Sequence, residues 1–432
     1  MEKQLHFRKL FVLSIPLILI GISACKLERI NPQCPNILEM QPRAGSANST
    51  IVIKGSSFYS GSPELYKVSI GDKSFQIIDV PDSNTLRVKV PPGIGSGPVS
   101  ISVVGGPSCS ATQNLNFIYH YTATRVSTLN GSLKSPEGLD VDNQGNLVVA
   151  DKGNYQVKVI ELTAGAIVKT YGKGVFLVGC DSDPIKTNDA HFYADDVDVD
   201  LNGNIYIAEG EKHIIRWIDP KFPDSVRIYV GRCKQSDSRP DTVHRLLAKI
   251  TSPQGVFRDD VSNVLYFIDN LGIRKIFNSL IHVVKKEETR EAFQGIEISR
   301  SKQNLGPIYV SDMGGCGSIC SGVIKSVNEQ GVVKDTIKKN EFTWPSRFVL
   351  DSKGTIFVAD LIANRIVAVY PDGALQIIAG TGNMGDNNVE VPGPQANFRG
   401  PSGIALVEKE GLVTWLYISD KGNNKVKAIK LE

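Results

Sequence analysis

The chain has 432 residues, of which 41% are hydrophobic and 22% charged, with a formal net charge of +3. It is too long for one ordinary domain, and no basic stripe interleaved with aromatic residues is present, which argues against nucleic acid as a partner. Its 40 glycines and 22 prolines suit a chain of many turns, as in an all-β protein.

Residues 1–24 read as an export signal. Lys3, Arg8 and Lys9 form a cationic leader, and Leu10 to Ile20 is apolar except for Ser14 and Pro16. Small residues then run into Cys25. That order describes a signal peptide, and the run falls short of the about 20 apolar residues that cross a membrane. The Ser23-Ala-Cys25 end resembles the lipobox of bacterial lipoproteins. The resemblance implies cleavage before Cys25 and a diacylglyceryl thioether on it. No other stretch approaches membrane length, so the lipid is expected to be the only membrane attachment. Loss of residues 1–24 leaves a net charge of about +1. Lys26 follows the cysteine, not the Asp that retains enterobacterial lipoproteins in the inner membrane. By that rule the destination is the outer membrane, facing either the periplasm or the exterior.

Residues 25–34 form a short lipidated tether. Six cysteines lie beyond Cys25, and an even number in an exported chain suggests pairing. Sequence neighbourhood suggests Cys34 with Cys109, Cys180 with Cys233, and Cys316 with Cys320, among other connectivities that remain open. No Cys-x-x-Cys pattern occurs, which argues against a thioredoxin-like or zinc-ribbon site.

From residue 35 to 120 brief alternating strands are predicted at Thr50 to Lys54, Lys67 to Ile70, Thr85 to Val90 and Val99 to Val103. Gly, Pro, Asn and Asp clusters separate them, the pattern of an antiparallel sandwich. Pro42, Gly45, Ile51-Val-Ile-Lys-Gly55 with Phe58, Val68-Ser-Ile-Gly71, Asn84 to Pro91, Gly97 to Val103 and Phe117-Ile-Tyr119 resemble, in order, the IPT/TIG immunoglobulin-like domains. The resemblance implies a sandwich that spaces another module or binds a partner, and it implies no chemistry.

Residues 121–432 repeat one pattern: an apolar lead, an inner strand, a turn, a second strand ending in Asp or Glu, then a third strand. The second strands end at Asp151, Glu209, Asp269, Asp312, Asp360 and Asp420, spaced by 58, 60, 43, 48 and 60 residues. Copies such as Ser135-Pro-Glu-Gly-Leu-Asp-Val with Gly145-Asn-Leu-Val-Val-Ala-Asp151 resemble NHL repeats. Six copies imply a six-bladed β-propeller. The last copy ends without room for a fourth strand, while Ala123 to Gly131 resembles one. The N-terminal strand is therefore expected to complete the last blade and close the ring.

Strand direction places the long segments Lys173 to Ala190, Arg232 to Lys249, Met313 to Gly322 and Thr381 to Asn397 on one face. Tight turns such as Asn143-Gln-Gly145 occupy the other. Long loops on a rigid scaffold commonly carry function. Asp198-Val-Asp-Leu-Asn-Gly203 with Glu209 fits an EF-hand pattern. Six extended steps separate Gly203 from Glu209 by about 20 Å at roughly 3.3 Å per residue, too far to share an ion with Asp198. The recurring acid is instead expected to accept backbone N–H groups in its own loop. His213 reads as structural, and His191 and His244 are the histidines from which a site could be built. No Gly-x-Ser-x-Gly elbow or His-Glu-x-x-His motif appears. No catalytic residue, metal ligand or cofactor is assigned. The expectation is a monomeric binding protein anchored by lipid on Cys25, engaging a protein or glycan partner with its long-loop face. The rival is a metal-dependent lyase or hydrolase working in the propeller channel.

Overall fold

A computed structural model describes residues 34–104, 108–109, 115–130, 132–177, 179–236, 242–286, 292–301, 304–314, 322–387 and 389–432. Among these residues, the only helical segments are single 3₁₀ turns. No helix there is long and apolar enough to cross a membrane. Cys25 lies outside the described residues, as do Cys316 and Cys320 and the side chain of Cys109.

The N-terminal module is a sandwich. One sheet orders Asn36–Gln41, Thr50–Ser56, Thr85–Lys89 and Gln76–Asp82; the facing sheet orders Ser108–Cys109, Ser100–Val103, Tyr66–Ile70 and Lys73–Ser74. The alternation that marks these strands in the sequence places Ile51, Ile53, Val68, Leu86, Val88 and Ile101 inside. Cys34, at its edge, is disulfide-bonded.

Six sheets follow in a ring. Blade 1 spans Pro136–Val141, Asn146–Asp151, Gln156–Glu161 and Ile167–Tyr171. Blade 2 starts at Asp196–Val199, blade 3 at Gly255–Asp259, blade 4 at Phe293–Ser301, blade 5 at Pro345–Leu350 and blade 6 at Pro401–Lys409. These first strands neighbour one another around the central axis. The second strands lie between neighbouring blades, so both of their faces are covered. That is why Leu147-Val-Val-Ala150 and Ile205-Tyr-Ile-Ala208 are continuous apolar runs, buried throughout.

Blade 6 is completed from the far end of the chain. Ala123–Asn130 pairs antiparallel with Lys425–Leu431, in a register that sets Ala123 opposite Leu431 and Val126 opposite Ile429. The ring therefore closes with its N-terminal strand. Blade 2 has a fifth strand absent from the sequence pattern: Ile185–Lys186, from the long segment after blade 1, pairs with Val226 and Ser225 on its outer edge.

The sandwich sits on the turn face, over blades 5 and 6, with almost no linker. A single apolar core runs from the sandwich through Tyr119 and Tyr121 into Phe357, Tyr370, Val413 and Leu416. The Tyr121 N–H donates to the Tyr370 hydroxyl at 2.8 Å. The Tyr121 hydroxyl donates to Asp351 and accepts the Val413 N–H, both at 3.2 Å. The His120 ring stacks on Tyr370 at 4.1 Å between centroids. Burial, with Asp351 nearby, holds the Tyr121 phenol protonated far above its ordinary range.

Candidate functional site

The inner strands decide what the channel can hold. Near the start of the inner strands, four blades carry Gly138, Gly255, Gly295 and Gly403, where blades 2 and 5 carry Asp196 and Arg347. The glycines are required by space: a Cβ on Gly138 would lie 1.7 Å from Asp196 Oδ1, and one on Gly403 would lie 2.2 Å from the Glu137 carbonyl. The two long side chains span the gap. Arg347 Nε donates to Asp196 Oδ1 at 2.8 Å, and its Nη2 donates to both the Asp195 carbonyl at 2.6 Å and the Gln254 carbonyl at 3.1 Å. Asp196 also accepts the Val256 N–H at 3.1 Å. Burial pushes the Asp196 carboxyl up to about 6, although the Arg347 guanidinium and the N–H bonds favour its charged form. The waist of the channel is thus filled by the protein's own ion pair.

On the turn face this plug opens into a cavity of about 330 Å³ lined by Asp140, Asp198, Asp200, Asp260, Glu297 and Glu408. Several of these carboxylates tie blade to blade. Asp140 accepts the Val199 N–H at 2.8 Å, Asp198 accepts the Arg258 N–H at 2.7 Å, and Asp260 accepts the Leu201 N–H at 3.1 Å. Among the described residues, no group of three His, Cys, Asp or Glu side chains is placed to hold a metal ion.

On the loop face each second-strand acid is buried and does the same work. Its carboxylate accepts the N–H of the residue that leads into its own blade: Lys134 for Asp151 at 2.7 Å, Tyr193 for Glu209 at 2.9 Å, Thr251 for Asp269 at 3.0 Å. The same holds for Ala292 with Asp312 at 2.9 Å, Trp344 with Asp360 at 2.8 Å and Arg399 with Asp420 at 2.7 Å. The sequence pattern points to backbone N–H donors in the acid's own loop; the recurring donor lies instead in the segment that leads into the inner strand, and the loop itself supplies a backbone donor at Asp269 and Asp312. Every one of these acids also binds a cation from the third strand: Lys158, Arg216, Arg274, Lys325, Arg365 and Lys427. Glu209 and Asp198 hold separate partners at opposite ends of blade 2, so the EF-hand pattern is a strand pair.

The histidines do not come together as a site. His191 Nδ1 lies 2.7 Å from Asp181, which also receives Arg216 at 2.7 Å and Lys212 at 3.2 Å. Burial opposes the Asp181 charge, but the His191 hydrogen bond and the two cations outweigh it and hold the carboxyl below its usual range. His244 is exposed and accepts the Leu246 N–H at 3.4 Å. His213 Nδ1 accepts the Ser252 N–H at 2.9 Å and so latches blade 2 to blade 3. Beside Asp181, Cys180 is bonded to Cys233, tying two neighbouring long segments.

The loop face also carries an aromatic cluster that sequence reasoning did not single out. Tyr155 lies 6.0 Å from Tyr193 with planes at 24°, and Phe176 lies 5.4 Å and 6.1 Å from the two tyrosines. Phe176 is 55% exposed. Lys152 sits 4.6 Å over the Tyr193 ring and is paired with Asp195.

With this geometry in view, the family models agree in both halves: residues 35–119 match the IPT/TIG domain and residues 133–160 match the NHL repeat. The chain joins an IPT/TIG domain to an NHL-type propeller. No curated protein matches it. Among solved structures, a structural-genomics protein of unknown function from Bacteroides thetaiotaomicron superposes with TM-score 0.55 at 16% identity, covering 93% of this chain and 98% of that one. An auxiliary nutrient-binding protein from the same organism gives 0.51 at 14% identity, over 93% and 98%. A gluconolactonase from Xanthomonas campestris gives 0.50 at 14% identity, over 72% of this chain and 90% of its own. At these identities the likeness is one of fold.

Proposed function

We propose that this protein is a lipid-anchored binding protein of the bacterial outer membrane, whose long-loop face engages a partner while the sandwich holds the propeller off the membrane. The observation that carries the reading is the Arg347–Asp196 plug, which occupies the channel waist where a propeller enzyme would need open space. The similarity in fold to an auxiliary nutrient-binding protein supports a binding role. The gluconolactonase likeness keeps a channel enzyme as the competing reading, but the described residues supply no converging metal ligands for it.

In this reading membrane attachment rests on Cys25. Cys25→Ser is expected to abolish incorporation of labelled palmitate and to leave the propeller folded. Metal analysis of the purified protein separates the binding and enzyme readings. A transition metal bound one to one and lost on substitution of Asp140, Asp198 or Glu297 would overturn the binding reading. Protease treatment of intact cells distinguishes an exterior from a periplasmic orientation.

A further inference from the structure

The junction between blades 1 and 2 is built differently from three of its counterparts. After the second strand, three blades place a left-handed residue whose side chain accepts an N–H from the next blade. His213 accepts Ser252 at 2.9 Å, Asn364 accepts Gly400 at 3.0 Å, and Asn424 accepts Ser135 at 2.8 Å. Those donors are left-handed as well, with φ of 49°, 65° and 45°. In blade 1 the corresponding residue is Tyr155, with φ 57°. The repeat imposes this conformation at all four positions, and at Tyr155 it is borne by a bulky side chain that ordinarily avoids it. A phenol ring replaces the compact acceptor, and it packs against Tyr193 and Phe176 instead.

The geometry points to a binding site for a neutral saccharide on Tyr155, Phe176 and Tyr193. This assignment rests on the binding reading above and names the ligand class of that same face. Three features favour a sugar. The rings offer an apolar surface with Phe176 more than half exposed, suited to the flat C–H face of a pyranose. The charge that lies over the Tyr193 ring is already matched, Lys152 with Asp195. A charged ligand would have to break that pair, whereas hydroxyl groups can share its polar atoms. The patch is also small. Three rings cover the footprint of one or two sugar units, well under the roughly 800 Å² per partner of a stable protein interface.

The site is preorganised. The segment bearing Phe176 is tied at Cys180 to Cys233, pinned by Asp181 to Arg216, and bonded at the Gly172 carbonyl by Gln156 at 3.2 Å. Holding a loop in its bound shape lowers the entropy lost on binding.

The test is calorimetry on the full chain in detergent, with neutral hexasaccharides of glucose (α- and β-linked), xylose and mannose, and with oligogalacturonate as the anionic arm. At least one neutral sugar is expected to bind. Phe176→Ala and Tyr193→Ala should each weaken it by about tenfold or more, and Tyr193→Phe should retain it. Phe222→Ala, an equally exposed phenylalanine (57%) on the opposite face, should change nothing. Melting curves check that the variants stay folded. Binding that ignores Phe176 and Tyr193, binding of oligogalacturonate alone, or no binding by the neutral panel would overturn the saccharide assignment. None of these outcomes touches the metal analysis that tests the binding reading itself.

Discussion

On the turn face of the propeller, the tight turns are bonded to themselves: Asp142, Asp200 and Asp351 each accept the N–H four residues on, at 2.7, 2.8 and 2.8 Å. On the loop face, the segments Gly172–Asp195, Arg232–Gln254 and Gly380–Gly400 differ in length and composition, yet each re-enters its blade through one bond to a buried carboxylate. The donor is the residue leading into the inner strand, so the length of chain before it is free. A turn bonded to itself cannot lengthen without losing its bonds. A loop whose shared anchor is its return point can, whatever further ties it makes of its own. The difference explains why variable segments gather on one face, and why the other is left flat enough to receive the sandwich.

The sharpest way to break this comparison is to remove an anchor. Asp420 accepts the Arg399 N–H at 2.7 Å and binds Lys427 at 2.9 Å and the Asn423 amide at 2.8 Å, with no exposure to solvent. Asp420→Ala leaves the Arg399 N–H without its acceptor and takes from buried Lys427 its nearest carboxylate, with Asp386 at 3.2 Å remaining, at a cost of about 3–4 kcal/mol. Denaturant unfolding should show that loss; a change under about 1 kcal/mol would mean the carboxylate does not anchor the loop face. Next comes the disulfide, which adds a second tie to two of the long segments. Cys180 and Cys233 are 53 residues apart. Replacing both with Ser should cost about 2–4 kcal/mol through the freed unfolded chain. It should also speed proteolysis between residues 173 and 190 while leaving the turn face resistant. Equal proteolysis of both faces would contradict the division.

Much of this division can be read from the sequence, because it follows from periodicity. Alternation marks the sandwich strands, and the recurring Asp or Glu marks the end of each second strand. The missing fourth strand of the last copy foretells closure by Ala123–Asn130. The carboxylates' cations escape a pattern search because their offset varies: seven residues at Lys158, Arg216 and Lys427, five at Arg274 and Arg365, thirteen at Lys325. Arg347 and Asp196 are 151 residues apart. Their only local trace is a long polar residue where other inner strands carry glycine. Tyr155 leaves a comparable trace, an aromatic residue in the place of His213, Asn364 and Asn424. These features depend on which blades become neighbours, and repeat spacing alone does not reveal side-chain partners.

The seam with the sandwich tests the turn face from the other side. Tyr121→Phe removes one hydroxyl and leaves the Val413 N–H and the Asp351 carboxylate short of a partner in a buried site. The expected cost is about 1–2 kcal/mol. Because one core runs through the junction, sandwich and propeller should still unfold together in the variant. Two separate transitions by calorimetry would show that the seam depends on this hydroxyl and not on apolar packing.

The smallest effect expected is also the one with the clearest signature in pH. Asp181 pins the segment after blade 1 to Arg216 and Lys212, and its carboxyl is held below the ordinary range. A carboxyl whose folded pKa is depressed adds stability above its unfolded pKa, about 3.9, and loses it as pH falls through the folded value. Asp181→Asn keeps the shape and removes the charge. The stability gap between the native chain and this variant should be on the order of 1 kcal/mol at neutral pH, after allowance for solvent screening. It should hold steady down to about pH 4 and close below that. Asp181 lies in a loop, yet its cations belong to the frame of blade 2, so the gap measures how tightly a long segment is bound to the repeating frame of the propeller. A gap that stayed constant between pH 7 and pH 3 would show that the hydrogen-bonding shape of the side chain, and not its charge, secures the segment, leaving the disulfide as the main tie.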